Sequence, residues 1–191
     1  MIRTYVFRAN LVNPVDPVQI EFAIWEIEMA VKKRVPRTNA MRLLDAHRIA
    51  YEVLVFSPDI HSATGVAEAL GLPPDTVYKT LVVQRQEGKP LLVMVAGNKR
   101  VDLKALAASV GETKLRMASH HDAEALTGLP VGGISALALL NKGFEICIDH
   151  AAQNLDRVIV SAGKRGVNLC LAVSDLVRVT RARWVDAGSP S

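Results

Sequence analysis

One lysine is out of place in the segment DTVYKTLVV, which runs from Asp75 to Val83. Val77, Leu81, Val82 and Val83 read as a buried strand, and side-chain alternation puts Lys79 on the face of Leu81, opposite Tyr78 and Thr80. A strand lysine can lay its stem on apolar surface and carry its amine to solvent. It can also stand in a pocket, where the ammonium binds an anion or positions a carbonyl. The face shared with Leu81 favours the pocket.

Two more stretches could do chemistry. In VGGIS, Val131 to Ser135, the glycines Gly132 and Gly133 let backbone approach a ligand, and their N–H groups can bind an oxygen. The same residues could be no more than a tight connection. In VSAGKRGVN, Val160 to Asn168, a strand ends in small residues and Lys164 and Arg165 stand between Gly163 and Gly166. That pattern suits a phosphate or a terminal ribose, or a basic hairpin turn.

Other reactive residue types are less suggestive. His120 and His121 open a helix side by side and cannot both face one site, while His47, His61 and His150 lack partners at metal-ligand spacing. Solvent or capping roles are expected for all five histidines. Cys147 and Cys170 lie in apolar stretches without C-x-x-C spacing, and read as buried free thiols of a cytoplasmic protein. There is no G-x-G-x-x-G, P-loop or H-E-x-x-H, and GGIS lacks the flanking glycines of a nucleophile elbow. Neither a metal nor a cofactor is expected.

The elements that must position these residues are legible in part. TNAMRLLDAHR reads as a helix capped by Thr38, SATGVAEALGL as one starting near Ser62 and stopped by Gly71, and DLKALAASVG as one capped by Asp102 and stopped by Gly111. SHHDAEALTGL reads as a helix capped by Ser119, and SDLVRVT as one capped by Ser174. IAYEVLVF alternates like a strand. VYKTLVVQ and PLLVMVAG form a hairpin through RQEGK, and TKLRMA, FEICID, RVIVSAG, NLCLAV and RARWVD are further strands. About seven strands and about five or six short helices, with hairpins among them, predict an α+β domain with a curved, mixed, largely antiparallel sheet.

Residues 1–36 read differently from the rest. Asp16-Pro17 precedes QIEFAIWEIEMAVKKR, a helix with Ile20, Ala23, Ile24, Ile27 and Val31 on one face, ended by Pro36. This segment is expected to be an N-terminal extension of a domain over 37–188, and MAVKKRVPRTNA from Met29 would also serve as a natural start. The chain has 191 residues, of which 50% are hydrophobic, 22% charged and 5% aromatic, enough for one domain with a core built on aliphatics. A net charge of +4 permits contact with phosphate backbone without requiring it. No apolar run approaches the ~20 residues of a membrane span, and the N-terminus lacks the pattern of a signal peptide.

The three stretches, in this order and separation, resemble the YbaK family of aminoacyl-tRNA deacylases, relatives of the editing domain inserted in bacterial prolyl-tRNA synthetases. The resemblance runs from about Thr38 to Asp186 and is carried by TNAMRLLDAHRIAYEV, LGLPPDTVYKTLVV, VDLKALAASVG, LTGLPVGGIS and VIVSAGKRGVNLCL. It implies hydrolysis of mischarged Cys-tRNA(Pro), with Lys79 as the lysine needed for activity and Gly132 and Gly133 beside the scissile ester. It also implies that Ser135 follows in the same loop, that Ser161, Gly163, Lys164 and Arg165 edge the pocket and meet the 3′ CCA end, and that Phe56 takes the place of an aromatic near the substrate. Ala136 stands where the family often has proline, and Ala162 where it often has glycine.

In that branch the resemblance implies cleavage assisted by the cysteinyl thiol, which leaves orientation and oxyanion stabilisation to the protein. It implies prolyl-tRNA synthetase as a partner. Two other readings stay open: a water-using deacylase of Ala-tRNA(Pro) or another small mischarged product, and a non-catalytic module that binds tRNA or a synthetase.

Overall fold

The computed structural model describes residues 3–6 and 35–190; the helix expected between Pro17 and Pro36 lies outside them. Four helices begin where a short polar side chain replaces the missing intrahelical acceptor. Thr38 Oγ1 accepts the Met41 N–H at 3.3 Å to open α1, Asn39–Ala46. Ser62 Oγ accepts from Gly65 at 3.0 Å to open α2, Ala63–Leu70. Asp102 Oδ1 takes two amides to open α3, Leu103–Val110, and Ser119 Oγ takes that of Asp122 to open α4, His120–Thr127. Gly71, Gly111 and Gly128 end α2, α3 and α4 in the left-handed conformation that glycine reaches without strain.

The last helix departs from expectation. α5 is Val173–Thr180 and starts ahead of Ser174, with Ala172 at its cap position and no side-chain cap. The Val173 N–H instead donates to the carbonyl of Asp156 at 3.1 Å. A tertiary partner satisfies the amide, so the hydroxyl is not needed there.

The strands are β1 Arg3–Val6, β2 Tyr51–Val55, β3 Tyr78–Arg85, β4 Leu91–Ala96, β5 Lys99–Val101, β6 Leu115–Met117, β7 Glu145–Asp149, β8 Arg157–Lys164, β9 Val167–Ala172, β10 Arg183–Val185 and β11 Gly188–Pro190. The α+β class and the largely antiparallel pairing are as expected, with the pairing spread over two main sheets. One has the order β1-β2-β9-β8, the other β10-β7-β4-β3-β6, and β5 with β11 forms a small antiparallel pair. Only β1–β2, β4–β7 and β7–β10 are parallel. A single parallel bridge between Val77 and Ile159 ties the main sheets together just before β3.

Strand β4 shows why the sheet is central. All six residues are buried: Leu92, Met94 and Ala96 enter the main core with Leu44, Ile148, Leu169 and Leu176. Leu91, Val93 and Val95 face a second core with Leu106, Cys147 and Val185. The period of two is therefore apolar on both faces, as a covered strand requires. A third cluster packs Val66, Ala67 and Leu70 of α2 on Leu54, Val77 and Ile159. Among the described residues no helix is long and apolar enough to cross a membrane.

Candidate active site

Strand β6 pairs with β3 only from Val83 to Arg85, so the first half of β3 has no strand partner on that edge among the described residues. A cavity of about 590 Å³ opens along it. Its walls come from Tyr78 to Val82, from the start of α2, from the start of α4, and from Ser161 and Asn168 of the other sheet. Lys79, Phe56, Gly132 and Ser161 line it.

Lys79 is half-buried, and its ammonium donates to the carbonyl oxygen of Gly97 at 3.1 Å. Burial, and then the nearby Arg100 guanidinium, hold its pKa below the ordinary lysine value. Tyr78 beside it is buried, and burial with the charges of Asp149 and Asp75 raises its pKa, so it stays a neutral phenol. Gly97 itself is fixed by a close approach: a Cβ there would meet the Ala63 Cβ at 2.9 Å and the Val77 carbonyl at 3.1 Å.

The glycine pair divides its work. Pro130 to Gly133 form a β-turn closed by Gly133 N–H to Pro130 O at 2.8 Å. Gly132 has φ +87°, the left-handed value that the third turn position demands. Gly133 is a packing glycine, since a Cβ would stand 3.2 Å from the Arg165 amide nitrogen and 3.4 Å from the Lys164 carbonyl carbon. That contact brings the VGGIS and AGKRG stretches together. Because the Gly133 amide is spent on Pro130, the Gly132 amide is the one left without an acceptor among the described residues.

Arg165 and Glu124 clamp this turn. Arg165 Nε donates to the Val131 carbonyl at 2.7 Å, and the Val131 N–H donates to Glu124 Oε1 at 2.8 Å. The two side chains approach each other at 3.7 Å.

The remaining expected site residues are not all in the cavity. Ser135 is buried and accepts the Ala138 N–H at 3.3 Å, which makes it a turn-holding residue. Gly163 and Lys164 line a separate concavity. Gly163 sits in a bulge between Ser161 and Lys164, with φ +90°, and its N–H donates to Ser161 Oγ at 3.2 Å.

Several lining residues were not singled out from sequence. His61 and His120 are exposed, as expected, and also line the cavity. The Thr80 hydroxyl is buried there with no hydrogen-bond partner, and Asn168 is buried at its wall. Only Gly97, a glycine closing a strand before Asn-Lys, left a trace in sequence; the histidines and Thr80 carried no distinctive spacing. Among the described residues the lining contains no carboxylate and no thiol, and no cluster of His, Cys, Asp or Glu could hold a metal.

Residues 57–179 match the aminoacyl-tRNA editing domain. The chain belongs to that family. Editing by such a domain is deacylation, and the chain is an enzyme of that class. It is 37% identical over 160 residues to an Enterococcus faecalis protein named "Putative Cys-tRNA(Pro)/Cys-tRNA(Cys) deacylase EbsC", covering 83% of this chain and 97% of that one. It is 27% identical over 140 residues to a proline–tRNA ligase of Pelobacter propionicus, covering 70% of this chain and 24% of the ligase. The fold matches a crystal structure described as "a putative trans-editing enzyme for prolyl tRNA synthetase" with TM-score 0.67, 22% identity, and coverage of 81% of this chain and 99% of the other.

Proposed function

We propose that this editing enzyme cleaves cysteine from mischarged Cys-tRNA(Pro) in trans, in the cytoplasm, and that its deacylase domain spans 37–188. The observation that carries the reading is a cavity lined by the Lys79 ammonium and the Gly132 turn, with no carboxylate or thiol among its described lining residues to act as nucleophile. A volume of about 590 Å³ suits an amino acid esterified to a terminal nucleoside.

The substrate supplies what the cavity lacks. The cysteinyl thiol loses its proton, its sulfur bonds to the substrate's own carbonyl carbon, and the ester C–O bond breaks. The 3′-oxygen of the tRNA leaves and takes up a proton, and a cyclic thiolactone departs. The protein holds the ester in reach of the thiol and stabilises the oxyanion as it forms. The Gly132 amide is assigned to the oxyanion and Lys79 to the charge beside it. Ser161 and Phe56 contact the terminal nucleoside, and Thr80 offers its unpaired hydroxyl to the amino acid. Gly133, Ser135, Gly163 and Arg165 shape the cavity from behind.

Cysteine and proline are close in size, so a synthetic site rejects cysteine weakly and a second hydrolytic site is the physical remedy. Prolyl-tRNA synthetase is the natural source of the substrate and is proposed as a partner. A second reading is favoured by His61 and His120: an imidazole in the cavity could activate water against Ala-tRNA(Pro).

Single-turnover deacylation of Cys-tRNA(Pro), Ala-tRNA(Pro) and Pro-tRNA(Pro) tests both. Loss of cysteine alone, abolished when the thiol is blocked, supports thiol assistance. Loss of alanine, undisturbed by a thiol block, supports the water-using reading. Tight tRNA binding without any hydrolysis would make the chain a binding module.

A further inference from the structure

The end of β8 serves two cavities. Ser161 lines the first, and two and three residues on, Gly163 and Lys164 line a second concavity of about 410 Å³. Arg37, Arg42, Lys142 and Lys164 contribute four positive charges to its walls, from three segments far apart in sequence, and no acidic residue lines it among the described residues.

These charges are poorly neutralised from within. Arg37 pairs with Asp45. Among the described residues Arg42 meets only the amide oxygen of Asn39, at 2.7 Å, and Lys142 only the carbonyl of Thr127, at 2.9 Å. Lys164 is exposed and has no carboxylate partner among the described residues. Like charges gathered in a concavity repel one another, and a bound polyanion relieves that repulsion.

We propose that this second cavity binds the phosphodiester backbone of the tRNA 3′ strand. The inference rests on the reading that the first cavity receives the aminoacylated 3′ end. The three residues from Ser161 to Lys164 pass through the bulge at Gly163 and span at most about 10 Å, between one and two steps along a phosphate backbone. A nucleic-acid strand leaving the first cavity past Ser161 therefore reaches Lys164 within about two nucleotides. Among the described residues the lining has no aromatic side chain on which a base could stack, so the contact is to phosphate and is blind to sequence.

The test uses Arg42→Gln, Lys142→Gln and the double variant, all checked for unchanged melting temperature. Binding of uncharged tRNA is measured across a salt series, and cleavage is measured on cysteinyl-tRNA and on cysteinyl-adenosine, which fills the first cavity without a backbone. The expected result is a several-fold rise in Kd and KM for tRNA per substitution. The salt slope should fall by about 0.7 for each lost phosphate contact, with cleavage of cysteinyl-adenosine unchanged. Wild-type tRNA affinity and salt slope in the double variant would overturn the proposal. So would loss of binding to prolyl-tRNA synthetase with tRNA binding intact, since the cavity would then take an acidic protein surface. Failure of the wild type to cleave any aminoacyl ester would sink the functional reading alone, because the tRNA salt series still decides the site.

Discussion

The ammonium nitrogen of Lys79 stands 3.1 Å from the carbonyl oxygen of Gly97, a residue 18 positions along the chain. Lys79 opposes Val95 across the β3–β4 ladder, and Gly97 lies just past the end of β4. The Gly97 amide in turn donates to Val77 O at 2.7 Å. The amine is therefore aimed by a backbone oxygen that is itself tied to the strand carrying the lysine.

Lys79→Ala should lower the single-turnover rate on Cys-tRNA(Pro) by at least about 10²-fold, the scale seen when a preorganised charge or donor is removed. Its melting temperature should stay the same or rise, because the lysine is held partly desolvated. A near wild-type rate would falsify the assignment.

The rate should follow a bell-shaped pH profile. The rising limb is set by the substrate thiol, which must lose its proton near pH ~8.5. The falling limb belongs to Lys79, which loses its charge below the 10.5 of an ordinary lysine because burial, and then Arg100, lower its pKa. Between the folded value and 10.5 the unfolded chain binds more protons, so this residue makes stability rise with pH across that interval. Blocking the substrate thiol should abolish the enzyme-dependent rate across the whole pH range, and a rate that persists would point to a water-using reaction.

Arg165→Ala removes one jaw of the clamp on Val131 and frees the Gly132 turn to move. Displacement by about 1 Å costs on the order of 10²-fold in rate, so kcat should fall while the fold survives. Glu124→Gln keeps an oxygen for the Val131 N–H and should be mild. Equal damage from both would show that the ion pair matters more than the two backbone contacts.

The glycines should respond differently to alanine. Gly132→Ala meets nothing closer than 3.7 Å, so its effect is the left-handed strain alone, about 1–2 kcal/mol. Gly133→Ala pushes on the Lys164–Arg165 backbone and should disturb the cavity as well as stability. Gly163→Ala drives a methyl to 2.9 Å from the Ala138 Cβ, and Ala138→Gly should recover part of the loss but not the strain of φ +90°. Thermal denaturation of the single and double variants separates the two terms.

Alkylation should leave activity intact. Burial, followed by the charge of Glu145, pushes the Cys147 thiol up to about 12, and burial likewise raises Cys170. Neither is in the cavity lining. Iodoacetamide at pH 8 should not lower the deacylation rate, and inactivation that tracks loss of one thiol would place a cysteine in the reaction.

Local chemistry was legible wherever the cause is local. Thr38, Ser62, Asp102 and Ser119 announce helices because each side chain reaches an amide two or three residues ahead. Gly71 and Gly111 announce helix ends because φ is positive there. The β3–β4 hairpin followed from two apolar runs and a short polar turn. Ser174 misled for the complementary reason: the first amide of α5 finds the carbonyl of Asp156, which no local pattern reveals.

The sequence by itself determined that three stretches, around Lys79, Gly132 and Lys164, could do chemistry. The tertiary structure decided how they divide. Lys79 and Gly132 share one cavity, while Lys164 turns to another. It decided that Gly133 is used for close packing, that Ser135 braces a turn, and that His61, His120 and Thr80 join the site. The physical reason is range: caps and alternation act over a few residues along the chain. A cavity is made by the angle between two sheets and by contacts such as Arg165 with Val131, 34 residues apart, which only the folded chain brings together.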